Sequence, residues 1–514
     1  MLRGLTCTVL LSLGLLVYPQ AGSLDSTFAG DGMLIFPVGV DTDEASAICM
    51  QTDGKILLAG FSVDTISFNL IVSMSRVMSN GTLDGDFGNN GRVLTPVMST
   101  SAEIESVAVQ SDGKILLAGS LVMADRKFLL MRYNGDGTID STFGSAGIVV
   151  TDLQTEEHGY ALALGSNGRI LMAGYTRNLF EDYDLALLQY LPTGAPDLSF
   201  GTNGSAVTDV SGGDDHAYAL AVLPNGKILV VGESDDNVLV TQYEPNGLVD
   251  STFATNGALI TSWTPMRDNA RSIDLQADGK IVVAGAAGAG TWYADFGVMR
   301  INVDGSLDTT FDGDGFTITG FSAYGDYPVG VRVTTDGRIV AGGKAELTAH
   351  FALACYLPNG TLDPGFGNNG QVLAPLGGLE DHACAMTLDQ QDRVVLAGAS
   401  RVTIPGTGTD HDYAVARFLT TSLLGMPTSS MDPGYRRPFP NPTSGVLHVD
   451  NGGSTAGLGR FIDVQGRLIE VPVARHESSL EFDLTHVPDG LYFLSVGSDP
   501  TTSTYRIIKL GGSP

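Results

Sequence analysis

A column of acidic residues recurs through this sequence, ten positions before each copy of a phrase that reads Asp-Gly-Lys or a close variant. We call it the acidic column. One of its seven positions holds Ala102, and the other six are carboxylates: Asp43, Glu157, Asp215, Asp268, Asp326 and Asp381. The position after each is mostly polar, with Glu44, Glu103, His158, His216, Asn269, Tyr327 and His382.

Carboxylates repeated in this way have two chemical interpretations. Gathered into a ring, they would attract a hard cation such as Ca²⁺, which prefers carboxylate oxygens and is the one candidate cofactor of this sequence. Alternatively, each carboxylate accepts hydrogen bonds from turn amides or pairs with an arginine of a neighbouring strand. We favour this second interpretation, because regular placement is what turn chemistry predicts. His158, His216 and His382 belong to different repeats, so we do not expect them to share a zinc site.

Motifs of catalysis are missing from the sequence. It contains no Gly-x-Ser-x-Gly nucleophile elbow, His-Glu-x-x-His zinc helix, Gly-x-Gly-x-x-Gly turn or phosphate-binding loop. No carboxylate pair stands apart from the repeated columns, whereas an active site has to break the symmetry of a repeat. We therefore predict no catalytic residues and a protein that is not an enzyme. The alternative is an extracellular glycan-acting hydrolase or lyase that uses carboxylates as acid and base.

Charge and composition limit the partners and the compartment. The 514 residues carry a formal net charge of −29, which disfavours nucleic acid and anionic membranes as partners. Residues 1–22 read as a signal peptide, with Arg3, an apolar run and Ala21 near the cut. No later segment has the roughly 18 apolar residues of a membrane span. We expect an exported, globular protein.

Two phrases keep step along the chain and define seven repeats. The first is Leu24-Asp25-Ser26-Thr27-Phe28, and it returns around Asp84, Asp140, Asp197, Asp250, Asp308 and Asp363. The second begins at Asp53, with copies at Asp112, Asn167, Asn225, Asp278, Asp336 and Gln391. Each repeat reads as four short strands, and the Asp-Gly pair between two apolar runs predicts a two-residue hairpin turn with positive φ at both residues.

Seven repeats of four strands predict an all-β fold, a seven-bladed β-propeller over residues 23–422. A β-solenoid is the alternative, but an open array would need caps at its ends, and none is visible. In six repeats the Leu-Asp phrase follows eight residues after a column that begins with Arg76. Arg417 is the seventh member and lacks such a phrase, so we predict that Leu24–Phe28 docks beside Arg417 and closes the ring.

A different module follows a linker at residues 423–435. Residues 436–514 alternate as short strands with turns, which predicts a small β-sandwich. Its motifs are Pro440-Asn441-Pro442, an Asp-Val-x-Gly-Arg centre containing Gly466, and a Pro-x-Gly-Leu-Tyr-Phe strand containing Gly490. Together these residues resemble the type A sorting domain of the type IX secretion system. The resemblance implies a Bacteroidota-type bacterium, Sec export, and the type IX machinery as a partner.

The repeats resemble the delta-60 repeat family of β-propellers, through Asp-Gly-Lys-Ile-Leu-x-Ala-Gly and Leu-Asp-x-x-Phe-Gly-x-x-Gly. That resemblance implies the fold and supplies no active site. Taken together, the sequence predicts a cell-surface or secreted propeller that acts as a binding or structural protein. Its ligand, a glycan or a protein outside the cell, is not encoded in any motif, and variable loops would carry recognition.

Overall fold

The computed structural model describes residues 20–97, 101–153, 155–165, 167–178, 180–290, 293–322, 324–345, 350–404 and 408–421 of the repeat array. In the C-terminal part it describes residues 446–450, 460–463, 468–469, 471–475, 479–488, 490–498 and 501–509. The chain divides into two compact units, Met1–Leu423 and Leu424–Pro514. Apart from residues 20–22, the predicted signal peptide lies outside the described residues, as does the linker at 423–435.

The first unit contains seven antiparallel sheets of four strands, which confirms the predicted propeller. Blades 1 to 3 contain β2 (Asp43–Met50), β3 (Ile56–Val63), β4 (Leu70–Val77) and β5 (Arg92–Thr95); β6 (Ser101–Val109), β7 (Ile115–Val122), β8 (Arg126–Tyr133) and β9 (Ile148–Thr151); and β10 (Glu157–Leu164), β11 (Ile170–Arg177), β12 (Tyr183–Tyr190) and β13 (Ser205–Thr208).

Blades 4 to 7 follow the same order, except that blade 7 takes one strand from the start of the chain. They contain β14 (Asp215–Val222), β15 (Ile228–Ser234), β16 (Asn237–Tyr243) and β17 (Ala258–Thr261); β18 (Asp268–Leu275), β19 (Ile281–Ala287), β20 (Asp295–Ile301) and β21 (Phe316–Thr319); β22 (Tyr327–Val333), β23 (Ile339–Ala345), β24 (His350–Tyr356) and β25 (Gln371–Ala374); and β26 (Asp381–Leu388), β27 (Val394–Ile404), β28 (Gly408–Phe418) and β1 (Met33–Phe36).

The blades are offset from the sequence repeats by one strand. The strand after each Leu-Asp phrase joins the sheet of the preceding repeat, as β5 pairs with β4. The innermost strands β2, β6, β10, β14, β18, β22 and β26 contact one another in order, and β26 contacts β2. The array is therefore a closed ring and not a solenoid.

Blade interiors are apolar because both faces of each sheet are covered by other blades. The third strand of a repeat is buried almost throughout, as at Leu57, Leu58 and Ala59, which are fully buried. Continuous apolar runs of this kind are typical of strands covered on both faces. The polar turns at the edges separate these runs and fix the strand ends.

The Asp-Gly turns differ from the prediction in type. Gly54 has a φ of 84°, whereas Asp53 is absent from the residues with positive φ. The Gly54 amide donates to the Gln51 carbonyl at 3.0 Å, and the Gln51 amide donates to the Lys55 carbonyl at 2.8 Å. This is a type I turn followed by a left-handed glycine. The Asp53 carboxylate supports it by accepting the Lys55 amide at 3.2 Å.

The N-terminal segment closes the ring, as predicted. The Asp25 amide donates to the Arg417 carbonyl at 2.8 Å, and Arg417 Nε lies 2.9 Å from Asp25 Oδ2. Beyond this contact, β1 pairs antiparallel with β28, from Met33 opposite Ala416 to Phe36 opposite Tyr413. The two ends of the array thus share one sheet.

The aspartate of the Leu-Asp phrase forms an ion pair in every blade. In blade 1, Asp84 Oδ2 lies 2.7 Å from Arg76 Nε and 3.0 Å from Lys55 Nζ, and the Arg76 guanidinium lies 4.5 Å from the Phe87 ring centroid. Where the arginine column holds Gln189, Gln242 or Cys355, the aspartate pairs with the second basic residue alone. Those pairs are Arg169–Asp197, Lys227–Asp250 and Arg338–Asp363.

The second unit contains two small sheets around one core, as the predicted sandwich requires. One sheet contains β29 (Val446–Asp450), β33 (Ser479–Asp483) and β32 (Val473–Arg475); the other contains β31 (Leu468–Ile469), β30 (Arg460–Asp463), β34 (Gly490–Ser498) and β35 (Thr501–Lys509). Their buried core includes Leu447, Phe461, Phe482 and Leu494. Gly490 begins β34, while Pro440, Asn441, Pro442 and Gly466 lie outside the described residues.

Candidate ligand-binding cavity

The acidic column lies at the starts of the innermost strands, and its carboxylates are buried. Asp43 Oδ2 accepts the amides of Val38 at 2.7 Å and Gly39 at 2.9 Å. Amides five residues upstream are likewise accepted by Asp215 (Val210), Asp268 (Trp263), Asp326 (Phe321) and Asp381 (Leu376). Glu157 accepts the amides of Leu153 and Thr155. Each carboxylate therefore fastens the loop that enters its blade from the preceding one.

Burial also affects the protonation of three of these carboxyls. It raises the pKa of Asp43, Glu157 and Asp215 above the ordinary range, although hydrogen bonds oppose the shift. The arginine column does not reach them, since Arg76 and its equivalents pair with the Leu-Asp phrase. Cation binding by the acidic column stays a prediction.

One face of the propeller carries the acidic column and also the variable loops. Asp43 pairs with Ser62 at the end of β3, and Val63 pairs with Leu70 at the start of β4. The loops between these strands therefore emerge beside the acidic column, whereas the Asp-Gly turns lie at the opposite end of the strands. We call the first side the upper face.

A β-bulge interrupts every innermost strand three residues after the acidic column. In β10, for example, Gly159 pairs with Gly174 and Ala161 pairs with Ala173, which leaves Tyr160 unpaired between them. Bulges re-aim a side chain and often lie beside functional sites. The seven unpaired residues, which we call the bulge column, are Ser46, Glu105, Tyr160, Tyr218, Arg271, Val329 and Cys384.

All seven residues of the bulge column line one cavity of about 450 Å³ at the centre of the ring. The remaining lining comes from blades 4 to 6 and includes Arg267, Asn269, Tyr327 and Lys344. A cavity of this size is in the range of small-ligand sites. The bulges thus convert seven similar blades into one wall with seven different side chains.

Aromatic rings gather on blades 3 and 4 beside this cavity. Tyr160 stacks on His158 with 4.2 Å between ring centroids, and it meets the edge of Tyr218 at 5.0 Å. Tyr175 and His216 extend the group with a T-shaped contact at 4.7 Å. Burial raises the pKa of Tyr160, Tyr175 and Tyr218, so these hydroxyls stay protonated at neutral pH.

A buried carboxylate anchors the charged side of the cavity. Glu233 contacts the Arg267 guanidinium through both oxygens, and its Oε1 lies 3.3 Å from His216 Nδ1. Burial alone would raise the pKa of Glu233, but the contacts with His216 and Arg267 outweigh it and lower that pKa to about 2. Glu233 is therefore an anion that holds Arg267 in place.

The cavity wall reverses the charge balance of the chain. Its charged lining residues are Arg267, Arg271, Lys344 and one carboxylate, Glu105, whereas the whole chain has 28 basic and 57 acidic residues. The Arg271 guanidinium lies 3.8 Å from the Tyr218 ring centroid, and Lys344 Nζ lies 5.7 Å from that of Tyr327. Cations packed on aromatic faces beside a concave surface can bind an anionic ligand.

The bulge column was missed by the sequence prediction, which followed recurring residue types. Its positions follow the acidic column at a constant distance, but the residues there share no chemistry. That divergence inside an otherwise regular repeat is the signal that marks the site. The residue types at these positions do not indicate a β-bulge. The spacing of three residues from the acidic column could therefore be recognised as significant only from the strand register of the structure.

Family comparisons match both parts of the chain. Residues 110–143, 165–200, 223–253, 276–311 and 334–366 match the family described as a domain of unknown function (DUF5122) beta-propeller. Residues 438–510 match the secretion system C-terminal sorting domain, which directs the chain to the cell surface or the extracellular space. No curated protein matches the chain. Within the described residues, no helix is long and apolar enough to cross a membrane.

Solved structures match the chain at low identity. A streptogramin B lyase is 10% identical with a TM-score of 0.45, covering 75% of this chain and 97% of its own. A protein of unknown function from Dyadobacter fermentans is 13% identical with a TM-score of 0.40, covering 75% and 97%. The polysaccharide lyase Uly1 is 10% identical with a TM-score of 0.41, covering 73% and 90%.

The family matches agree with the seven closed blades and the C-terminal sandwich. Five of the seven sequence repeats are matched individually, and the sorting-domain match begins just beyond the propeller. The chain is therefore a secreted or cell-surface β-propeller, five of whose repeats match the DUF5122 family, with a C-terminal sorting domain of the type IX secretion system.

Proposed function

We propose that this propeller binds an anionic sugar chain, one that bears carboxylate or sulfate groups, in the cavity on its upper face. The observation that carries the proposal is the bulge column, which brings Tyr160, Tyr218 and Arg271 to one wall from three successive blades. Aromatic faces pack against the apolar faces of sugar rings, and guanidinium groups bind carboxylates and sulfates in a planar, charge-assisted way.

The loops of the upper face carry further aromatic side chains outside the cavity. Phe68, Phe180, Tyr293 and Tyr324 are exposed in these loops, with between 48% and 85% of their surface accessible. Exposed aromatic rings on the face that carries the cavity offer further packing surfaces to a ligand that extends beyond it. A polymer is therefore a better fit than a small molecule, since it would occupy the cavity and also run across these rings.

Binding of polysaccharides to the full chain tests the proposal. We expect polygalacturonate, alginate or carrageenan to bind in isothermal titration calorimetry, and neutral laminarin not to bind. Arg271→Ala should weaken binding about tenfold or more, since a charge-assisted contact contributes on the order of 1.5–3 kcal/mol. Added salt should weaken binding to the wild type as well.

The matched control is Arg92→Ala, which removes the same charge outside the cavity lining, at the start of β5 and towards the end of the blade opposite the upper face. Equal losses in both variants would show that only the overall charge matters. Binding of neutral and anionic chains with the same affinity would contradict the proposal. If no sugar bound and a protein ligand were captured instead, the proposal would be wrong.

Cleavage of such a chain is the second candidate function, and one observation favours it. The bulge column breaks the symmetry of the blades, as a catalytic site must. Elimination fits better than hydrolysis, because the described lining holds one carboxylate and glycosidases use two. Arg271 would neutralise a uronate carboxylate, and Glu105 would take the proton from the carbon beside it. The protonated Tyr160 or Tyr218 would donate to the leaving oxygen as its bond to carbon breaks and the double bond forms.

An elimination product contains a carbon–carbon double bond that absorbs ultraviolet light. Incubation of the full chain with polygalacturonate or alginate should then give rising absorbance, which Tyr160→Phe and Tyr218→Phe would reduce. Binding without any rise in absorbance would leave the propeller as a binding protein. Absorbance that persists in both variants would contradict the assigned roles.

A further inference from the structure

Three potential metal ligands meet in blade 7, beside the cavity but outside its lining. Glu380, His382 and His411 each offer one ligand atom, and these atoms all lie within 4.8 Å of one another. Glu380 and His382 flank Asp381 at the start of β26, so their side chains point to the same side of the strand. His411 lies near the start of β28, two strands from β26 in the same sheet, with β27 between them.

Over the residues that the structure describes, blade 7 has a longer hairpin than the other blades. Its hairpin strands β27 and β28 contain 11 residues each, whereas the equivalent strands of the other blades contain seven or eight. His411 lies opposite Arg401 in this ladder, as Leu70 lies opposite Val63 in blade 1, so the cluster depends on the residue types at these positions. In other blades the position of His411 is held by Leu70, Arg126, Tyr183, Asp236 and Ala294.

We propose that Glu380, His382 and His411 bind a divalent transition metal ion, Zn²⁺, at the rim of the upper face. Two imidazoles and one carboxylate form the protein ligand set of open zinc sites, in which water or a further ligand takes the fourth position. His382 Nε2 lies 3.9 Å from Glu380 Oε2. Zinc ligation at about 2.0–2.1 Å would draw these half-exposed side chains together.

The second oxygen of Glu380 has its own partner. Glu380 Oε1 lies 3.4 Å from Arg401 Nη1, and Arg401 Nε donates to Thr409 Oγ1 at 3.2 Å. One carboxylate oxygen thus faces the histidines while the other faces a guanidinium. A partner of this kind orients a metal-ligating carboxylate. The site is independent of the sugar-binding proposal, because none of its residues lines the cavity.

Titration of the full chain, prepared without a histidine tag, with ZnCl₂ tests the site. We expect saturable binding of one ion in isothermal titration calorimetry, and a loss of that binding in the His382→Ala/His411→Ala double variant. His350→Ala is the matched control, since His350 begins β24 in blade 6 and lies outside the cluster. It should bind zinc like the wild type.

Co²⁺ provides a second readout, because its visible absorption reports coordination by protein ligands. We expect a spectrum with the wild type and Arg401→Ala, and its loss in Glu380→Gln/His382→Ala. Equal zinc stoichiometry in the wild type and the double variant would overturn the proposal, as would no binding to the wild type. Circular dichroism of each variant separates loss of the site from loss of the fold.

Discussion

At the scale of single residues, the cavity depends on a buried carboxylate that holds a basic side chain of the wall in position. Glu233 is the clearest case, since it contacts Arg267 and His216 while its own side chain is almost fully buried. A carboxylate in this place would be costly without its partners. The position of a charged group in the wall is therefore determined by a buried residue that does not itself line the cavity.

Acid should weaken the fold partly through Glu233. Its pKa in the folded state, about 2, is below the ordinary 4.5, so its stabilising contribution is complete above pH 4.5 and is lost as the pH falls towards 2. We expect Glu233→Gln to lower the free energy of unfolding by about 1–3 kcal/mol at neutral pH. The free energy of unfolding of this variant should also fall less steeply than that of the wild type as the pH decreases. Urea unfolding from pH 3 to 7 measures both effects.

The exposed Glu181→Gln serves as the control for this variant, because its ion pair with Arg177 lies at the surface. It should leave the free energy of unfolding nearly unchanged at every pH. If Glu233→Gln lost stability in acid as steeply as the wild type does, the carboxylate would not be the group that titrates.

The residue scale is also where sequence prediction succeeded least. Asp43 and its equivalents were predictable because six of the seven positions hold a carboxylate, and their contacts with loop amides are regular. Tyr160, Tyr218 and Arg271 were not found, since neighbouring blades place different residues there. Their shared orientation comes from a shift in the backbone register, which the residue types at these positions do not predict.

At the scale of elements, the acidic column connects each blade to the one before it. Asp268 shows how dense this connection is: it accepts the amides of Trp263, Thr264 and Gly288 and the Thr264 hydroxyl, at 2.7–2.9 Å. Oxygens occupied in this way have little capacity left for an ion. The inner strand and its entering loop therefore behave as one element.

Asp268→Ala should lower the stability of the propeller by about 2–3 kcal/mol, because several buried amides would lose their acceptor. Asp278→Ala is a graded control, since Asp278 accepts one amide, from Lys280, in an exposed turn. Thermal unfolding with Ca²⁺ or with EDTA should give the same midpoint for the wild type. A calcium-dependent rise would favour a bound ion at the acidic column.

Blade 7 differs from the other blades because its outer strand β1 has no covalent connection to β28. Asp25→Ala and Asp84→Ala remove the same aspartate from two copies of one motif, so each should cost about 3–5 kcal/mol through a buried arginine left unpaired. Only Asp25→Ala should release its strand. Hydrogen exchange at Met33–Phe36 and at Arg92–Thr95 separates the two effects.

Protection lost equally in β1 and β5 would contradict this difference, and so would protection kept in both.

The strands themselves were predictable, because apolar runs between Gly-containing turns recur at a constant spacing. The assignment of the strands to sheets was not predictable. The outermost strand follows its Leu-Asp phrase in sequence but pairs with a strand of the preceding repeat. The type of the Asp-Gly turn was also beyond the sequence, because both candidate turns use the same two residues.

At the scale of the whole molecule, the chain separates a cargo from its delivery module. The propeller core and the C-terminal core involve different residues and form two compact units. Architecture at this level was the most predictable part, since seven repeats and a distinct sorting motif leave few alternatives. The ligand was the least predictable, because a fold does not determine what it binds.

A chain that ends at Leu423 should keep the unfolding midpoint of the propeller, because none of the seven blades contains a residue beyond that point. Differential scanning calorimetry of the full chain and of the truncated chain would show it. A lower midpoint after truncation would mean that the sorting domain stabilises its cargo. Loss of surface display with an unchanged midpoint would separate delivery from folding.

Ring closure also orders events in time. Asp25 precedes Arg417 by 392 residues, so the segment that closes the ring is synthesised long before the hairpin with which it pairs. During export the leading end must travel unpaired, with an open sheet edge, until the final hairpin has followed it. The secretion tag emerges only after that hairpin, so a chain that presents its tag already carries every strand needed to complete itself.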